Sequence, residues 1–305
     1  MSKSNIGFIG VGFMGHGMAK NLLQKGYPLW VKGNRNRTPV EDLVGMGAHE
    51  AASPREMAQT CDMIHLCLSN SEQVEAAFRG PDGILAGARA GLIVIDTTTA
   101  DPTSTAVLAE ELAQTGGTLV DAPLGRTPKE AEAGTLDAMV GCDEATFDKI
   151  KPVLDCWAGN ITHVGGTGAG HKMKLLMNFI SMGYASLYAE ATVLGASVGI
   201  PPAKLRDVIG SSRLANGFFD TFMTYAVDRE ELHKFTISNA AKDLRYVHAM
   251  ADGAGIMTVM AAAAKQYFAH VEASGNGQDY VPKITDHVAA LNGMDMEQEA
   301  RKGRG

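Results

Sequence analysis

A chain of 305 residues, 45% of them hydrophobic, is long enough to fold as two domains with separate cores. Its 34 acidic against 27 basic residues leave a net charge of -7, which excludes the broad basic field of a nucleic-acid-binding surface while leaving room for a local cationic pocket. Cys61, Cys67, Cys142 and Cys156 form no C-x-x-C pair and have no histidine at ligand spacing, so reduced core thiols and no metal are expected.

In chain order, Met1-Ser2-Lys3-Ser4-Asn5 leads straight into an apolar run without the core of a signal peptide. The longest apolar stretch, Ala254 to Ala264, is well short of the roughly 20 residues that span a bilayer. A cytoplasmic protein with no membrane partner is expected. The first β-rich run is Ile6–Ile9, which enters the turn Gly10-Val11-Gly12-Phe13-Met14-Gly15. A helical pattern over 13–25 follows, with Met14, Met18 and Leu22 on one face and Lys25-Gly26 as its stop. The same βα rhythm continues through runs at Leu29–Val31, Met63–Leu66, Leu92–Ile95 and Thr118–Val120, with helical patterns at 71–78 and 103–114. Runs at Asp137–Val140 and Ile161–Val164 extend the series. Alternation of this kind predicts an α/β Rossmann domain over 1–166, a doubly wound and mostly parallel sheet with helices on both faces.

The glycine-rich segment Gly165–Gly170 reads as a hinge. Beyond it, His171 to about Val198 favours one long helix, rich in Ala, Gly, Ser and Met and suited to an interdomain spine or a subunit interface. From Pro201 only helical patterns appear, giving an all-α domain over 167–305 for substrate binding and dimerisation. A homodimer or homotetramer is expected. The polar tail Met294–Gly305 is expected to fray.

Gly10, Gly12 and Gly15 satisfy G-x-G-x-x-G between a strand and a helix, the context that gives this spacing its meaning. Gly10 permits the tight turn, Gly12 the approach of a pyrophosphate, and Gly15 close packing of helix on strand; Phe13 and Met14 complete the cradle. A second strand serving NAD usually ends in an acid that bonds the ribose 2′-OH. Here Val31 is followed by Lys32-Gly33-Asn34-Arg35-Asn36-Arg37-Thr38, with no acid before Glu41. Asn34, Arg35, Arg37 and Thr38 suit a 2′-phosphate, so NADP is preferred over NAD.

The opening Gly7-Phe8-Ile9-Gly10-Val11-Gly12-Phe13-Met14-Gly15, with Met18-Ala19-Lys20-Asn21-Leu22, resembles the β-hydroxyacid dehydrogenases, the 3-hydroxyisobutyrate dehydrogenase-like family. The likeness continues through Asp96-Thr97-Thr98-Thr99, Asp121-Ala122-Pro123, Gly134-Thr135-Leu136, Lys174 with Asn178, and Lys242-Asp243-Leu244, in the family's order over nearly the whole chain. The resemblance implies an NAD(P)-dependent dehydrogenase or reductase acting on a CH-OH group, with Lys174 as catalytic acid and base and Asn178 orienting the substrate. Spacing agrees, since residues i and i+4 share a helix face. Lys172 competes by type, but its neighbours on that face are Leu175 and Leu176. The resemblance also puts Thr98 and Thr99 near nicotinamide and substrate, Leu68, Ser69 and Asn70 on the adenosine side, and Lys242 and Asp243 at the closing of the cleft. Ser69 stands where the family usually has proline. His16 and His171 are read as local packing or solvent contacts.

The family's substrate loop is commonly D-A-P-V-S-G-G. This chain has Asp121-Ala122-Pro123-Leu124-Gly125-Arg126-Thr127, so Gly125 replaces the serine and a guanidinium appears beside it. A similar G-R-T marks the sulfolactaldehyde reductase branch, where the arginine is associated with the sulfonate. Gly125, Arg126 and Thr127 are therefore expected to hold a small anionic aldehyde or its hydroxy acid, unless Arg126 is consumed by an acid such as Glu130. Substrates of the wider family, 3-hydroxyisobutyrate, tartronate semialdehyde and succinic semialdehyde, stay open. Three more remote readings are an imine reductase, which would lack Lys174, a non-catalytic dinucleotide-binding scaffold, and a 6-phosphogluconate dehydrogenase relative.

Overall fold

The structure is a computed structural model that describes residues 3–302. Contacts divide it into two compact units, Met1–Lys174 and Leu175–Gly305. In the first, strand and helix alternate: β1 (Ile6–Ile9), α1 (Gly15–Gln24), β2 (Leu29–Lys32), α2 (Thr38–Gly45), β3 (His49–Glu50), α3 (Pro54–Thr60), β4 (Met63–Leu66), α4 (Ser71–Phe78), α5 (Ile84–Gly87), β5 (Ile93–Asp96), α6 (Pro102–Ala113) and β6 (Thr118–Asp121). The segment closes with β7 (Leu124–Gly125), α7 (Pro128–Ala133), β8 (Leu136–Gly141), α8 (Glu144–Leu154) and β9 (Ala158–Gly165). The sheet order is β3-β2-β1-β4-β5-β6-β8-β7, with β9 also paired to β8. Strands β1 to β6 run parallel, whereas β8 is antiparallel to β6 and β7.

Side-chain alternation along each strand sorts the residues into two cores. Ile6, Phe8, Leu29, Val31, Ile93, Ile95 and Val120 pack with α1, α2, α7 and α8 through Met18, Leu22, Val40, Leu43, Ala131 and Ile150. Ile9, Ile64, Leu66, Val94 and Leu119 face the other way, onto Met57, Val74, Phe78, Ile84 and Leu108 of α3 to α6. Both faces are thus covered, and the parallel strands present their carboxyl ends on one edge. Of the cysteines, Cys61 is buried, which pushes its thiol up to about 11 and keeps it protonated at neutral pH.

Helix α9 (Ala169–Ser197) is 29 residues long. After it come α10 (Pro202–Gly210), α11 (Gly217–Asp228), α12 (Ile237–Ala254), α13 (Val259–Val271), α14 (Ile284–Leu291) and α15 (Met296–Lys302). Met182, Ala185, Ala189 and Val193 of α9 pack with Phe219, Phe222, Ile237, Leu244, Phe268 and Val288 in one helical core. The expected fraying from Met294 is corrected: α15 forms, because Met296 and Ala300 are buried one turn apart. The last three residues of that tail lie outside the described residues. No helix among the described residues is long and apolar enough to cross a membrane.

Candidate active site

The glycine turn follows β1 directly, and its three glycines face different constraints. Gly10 has φ +95°, and a Cβ there would lie 2.3 Å from the Cys67 carbonyl oxygen. At Gly15 a Cβ would lie 2.0 Å from the Gly10 carbonyl oxygen, so α1 is seated against the turn. At Gly12 a Cβ would meet nothing within 4 Å. That open side is where a phosphate backbone can approach. No side chain caps α1 and no acid lies in its first turn, which leaves its N-terminal N–H groups and positive dipole end for an anion. Phe13 is 90% exposed. These features fit a dinucleotide pyrophosphate.

At the end of β2, Lys32 Nζ donates to the Ala52 carbonyl at 2.8 Å and Arg37 pairs with Glu50 at 2.7 Å. Glu50, supplied by β3, was invisible to a reading confined to the loop. The Arg37 guanidinium holds its carboxyl below the usual range. Asn34, Arg35 and Thr38 occupy the same loop, and Asn36 Oδ1 accepts from Thr38 N at 3.2 Å.

Past β4, the Thr98 side chain accepts from Leu68 N at 3.1 Å. Ser69 N donates to Gln73 Oε1, while Asn70 Oδ1 caps α4 by accepting from Gln73 N at 3.0 Å. Thr98 N donates to Asp96 Oδ1 at 2.9 Å, and burial pushes the Asp96 carboxyl above its usual range. Thr99 stands next in this turn.

Asp121, at the end of β6, accepts from two backbone groups at the start of α9, Gly168 N at 2.5 Å and His171 N at 2.8 Å. At Gly170 a Cβ would lie 2.3 Å from the Met139 carbonyl oxygen, so the first turn of α9 is pressed onto the sheet edge. His171 is fully buried, its Nδ1 is 2.7 Å from Thr105 Oγ1 and its Nε2 3.9 Å from Asp96 Oδ2. Its role is to pack this junction. His16 lies between Glu132 and Asp42, at 2.7 and 2.8 Å. Lys174 and Asn178 follow on α9 one turn apart, both half-buried, while Lys172 is exposed.

Between β7 and α7, Arg126 has φ +76° and donates from Nε to Asp137 Oδ2 at 3.0 Å. Glu130 is not its partner. That acid closes a capping box with Thr127 at the start of α7 instead. Gly125 lies in β7, opposite Asp137 of β8.

In the second unit, Asn178 Nδ2 donates to Asp243 Oδ2 at 2.5 Å, and Lys242 Nζ is 3.2 Å from Asp243 Oδ1. Asp243 is buried, and Lys242 lies over the Tyr246 ring. Asp121 and Asp137 have no assigned role in the sequence reading. Both act on partners brought in by strand pairing or from the start of a distant helix, so no local spacing marks them.

A family model described as the NAD binding domain of 6-phosphogluconate dehydrogenase matches residues 5–165. A second, described as NAD-binding of NADP-dependent 3-hydroxyisobutyrate dehydrogenase, matches residues 168–288. The chain is 34% identical to 2-(hydroxymethyl)glutarate dehydrogenase of Eubacterium barkeri, over 97% of this chain and 99% of that one. It is 31% identical to 3-sulfolactaldehyde reductase of Escherichia coli, over 95% and 97% respectively. Among solved structures, 3-hydroxyisobutyrate dehydrogenase of Mycobacterium tuberculosis with L-serine superposes with a TM-score of 0.84 at 25% identity, covering 94% of this chain and 99% of that one.

Proposed function

The chain belongs to the β-hydroxyacid dehydrogenase family, typified by 3-hydroxyisobutyrate dehydrogenase, and is an NAD(P)-binding oxidoreductase acting on a CH-OH group; from that premise we propose that it reduces a small anionic aldehyde, 3-sulfolactaldehyde in the first instance, to its alcohol, 2,3-dihydroxypropane-1-sulfonate. The observation that carries the substrate reading is Arg126, whose guanidinium stands next to Gly125, the residue that replaces the family's serine after Asp121-Ala122-Pro123. A planar fork of donors matches a sulfonate or carboxylate.

The turn of Gly10, Gly12, Phe13, Met14 and Gly15 would hold the pyrophosphate of the reduced dinucleotide, whose nicotinamide would supply the hydride. Lys174 holds the proton that the carbonyl oxygen takes as negative charge develops there, so that C–H and O–H bonds form while the carbonyl π bond opens. Gly125, Arg126 and Thr127 hold the anionic tail. Thr99 and Asn178 orient the substrate. Asp243 fixes the Asn178 amide through the 2.5 Å bond and is itself held by Lys242. Leu68, Ser69, Asn70 and Thr98 line the adenosine and nicotinamide sides. NADP is the preferred cofactor, supported by Asn34, Arg35, Arg37 and Thr38; Arg37 is already engaged by Glu50, so Arg35 carries more of the 2′-phosphate.

A carboxylated substrate is the second reading, favoured by the similarity to 2-(hydroxymethyl)glutarate dehydrogenase. NADPH and NADH oxidation with sulfolactaldehyde, succinic semialdehyde and tartronate semialdehyde separates the two. The sulfonate reading expects the highest kcat/KM with sulfolactaldehyde and NADPH. Preference for either carboxylated aldehyde refutes it.

The functional unit is a homo-oligomer in the cytoplasm. Met177, Ile180, Tyr184, Leu187 and Leu194 form an exposed apolar stripe along α9, spaced by threes, a four and a seven. Such a seam is self-complementary, and a second copy of α9 suits it through a two-fold contact.

A further inference from the structure

We propose that Asp137 is a positioning residue for Arg126 and thereby sets the preference for an anionic aldehyde; the inference rests on the reading of Arg126 as the anion anchor. Three observations converge on it. Arg126 holds a left-handed backbone at φ +76°, a conformation a bulky L residue adopts only when its surroundings impose it. Here they do so from both sides, since Gly125 is paired to Asp137 in the sheet and Thr127 is locked in a capping box with Glu130.

Asp137 then takes one donor of the guanidinium, Nε at 3.0 Å. Among the described residues the side chain makes no other hydrogen bond, and it is 52% exposed. The terminal nitrogens are left for an acceptor pair such as a sulfonate or carboxylate. The glycine before Arg126 belongs to the same arrangement: a Cβ at Gly125 would lie 3.1 Å from Asp137 Cβ and 3.3 Å from its Oδ2. A serine there would crowd the carboxylate that aims the arginine. The exchange of the family's serine for Gly125-Arg126 is thus coupled to Asp137.

Stability is a poor reason for this carboxylate. Its other oxygen, Oδ1, is buried without a hydrogen-bond partner among the described residues, an arrangement that costs free energy. Its charge also offsets part of the arginine's, so the anchor selects by donor geometry more than by net field.

The test compares a sulfonated aldehyde with neutral glyceraldehyde, using NADPH, in the wild type and in Asp137→Ala, Asp137→Asn, Arg126→Ala and the Asp137→Ala/Arg126→Ala pair. Asp137→Ala is expected to raise KM for the sulfonated aldehyde about tenfold, with a smaller change in kcat and none with glyceraldehyde. Asp137→Asn keeps an acceptor oxygen and should recover most of the loss. Adding Asp137→Ala to Arg126→Ala should change nothing further. Equal effects on both aldehydes, a lowered KM for the sulfonated one, or independent effects in the pair overturn the assignment while leaving Arg126 as the anchor. If Arg126→Ala itself affects both aldehydes equally, the anion reading fails and the role of Asp137 falls with it.

Discussion

Gly12 and Gly15 are both glycines of one turn, yet substituting them should produce opposite signatures. Gly15→Ala drives a Cβ into the Gly10 carbonyl and should destabilise by about 1–3 kcal/mol, read as a drop in Tm. Gly12→Ala meets no protein atom; Tm should hold while NADPH affinity, measured by fluorescence titration, falls about tenfold or more. A matching loss of Tm would mean Gly12 is structural. His65 gives a pH signature. It is fully buried between Phe8, stacked at 5.3 Å, and Trp157, with both ring nitrogens unpartnered among the described residues, and burial pushes its pKa down to about 3. Native His65 is neutral, whereas the unfolded chain protonates it near 6.5. Its contribution is therefore intact above that value and erodes as pH falls toward 3, by up to about 1.4 kcal/mol per pH unit. His65→Phe should flatten urea-derived stability against pH over that window; an unchanged slope refutes it.

The junction of β6 with α9 decides where Lys174, the proposed catalytic lysine, sits. Asp121 accepts from Gly168 N just before α9 and from His171 N in its first turn, and Lys174 lies three residues beyond His171. Asp121→Ala should cost about 1–2 kcal/mol as a lost cap, and kcat should fall more than KM rises because the helix start shifts. A change in stability with intact kcat would separate the two. Much of this element level was legible in the chain. The runs at Ile6–Ile9 and Met63–Leu66 and the helix at 71–78 coincide with the observed elements, since their alternation and caps are local. The two-residue strands β3 and β7 were not legible, because pairing with β2 and β8 creates them. The same non-locality hid Glu50 beside Arg37 and Asp137 beside Arg126. The tail misled for a related reason: its polar residues form one face of α15, and Met296 and Ala300 find their burial only in the folded unit.

At the scale of the whole molecule, the two halves were readable from their different periodicities, and so was the family, because its motifs recur in order along the chain. The exposed seam on α9 was readable as composition only; its continuity appears once the helix is seen. If the proposed α9 seam joins two copies, Ile180→Glu with Leu187→Glu should halve the mass seen in light scattering, and an unchanged mass would refute that contact. The proposed reduction runs through one lysine of that helix, Lys174. Single-turnover oxidation of bound NADPH by a sulfonated aldehyde, in the wild type and Lys174→Ala, tests it most directly. A rate lower by about 10²–10⁴-fold with NADPH Kd nearly unchanged is expected; a variant that retains most of the wild-type rate contradicts the proposed role of Lys174.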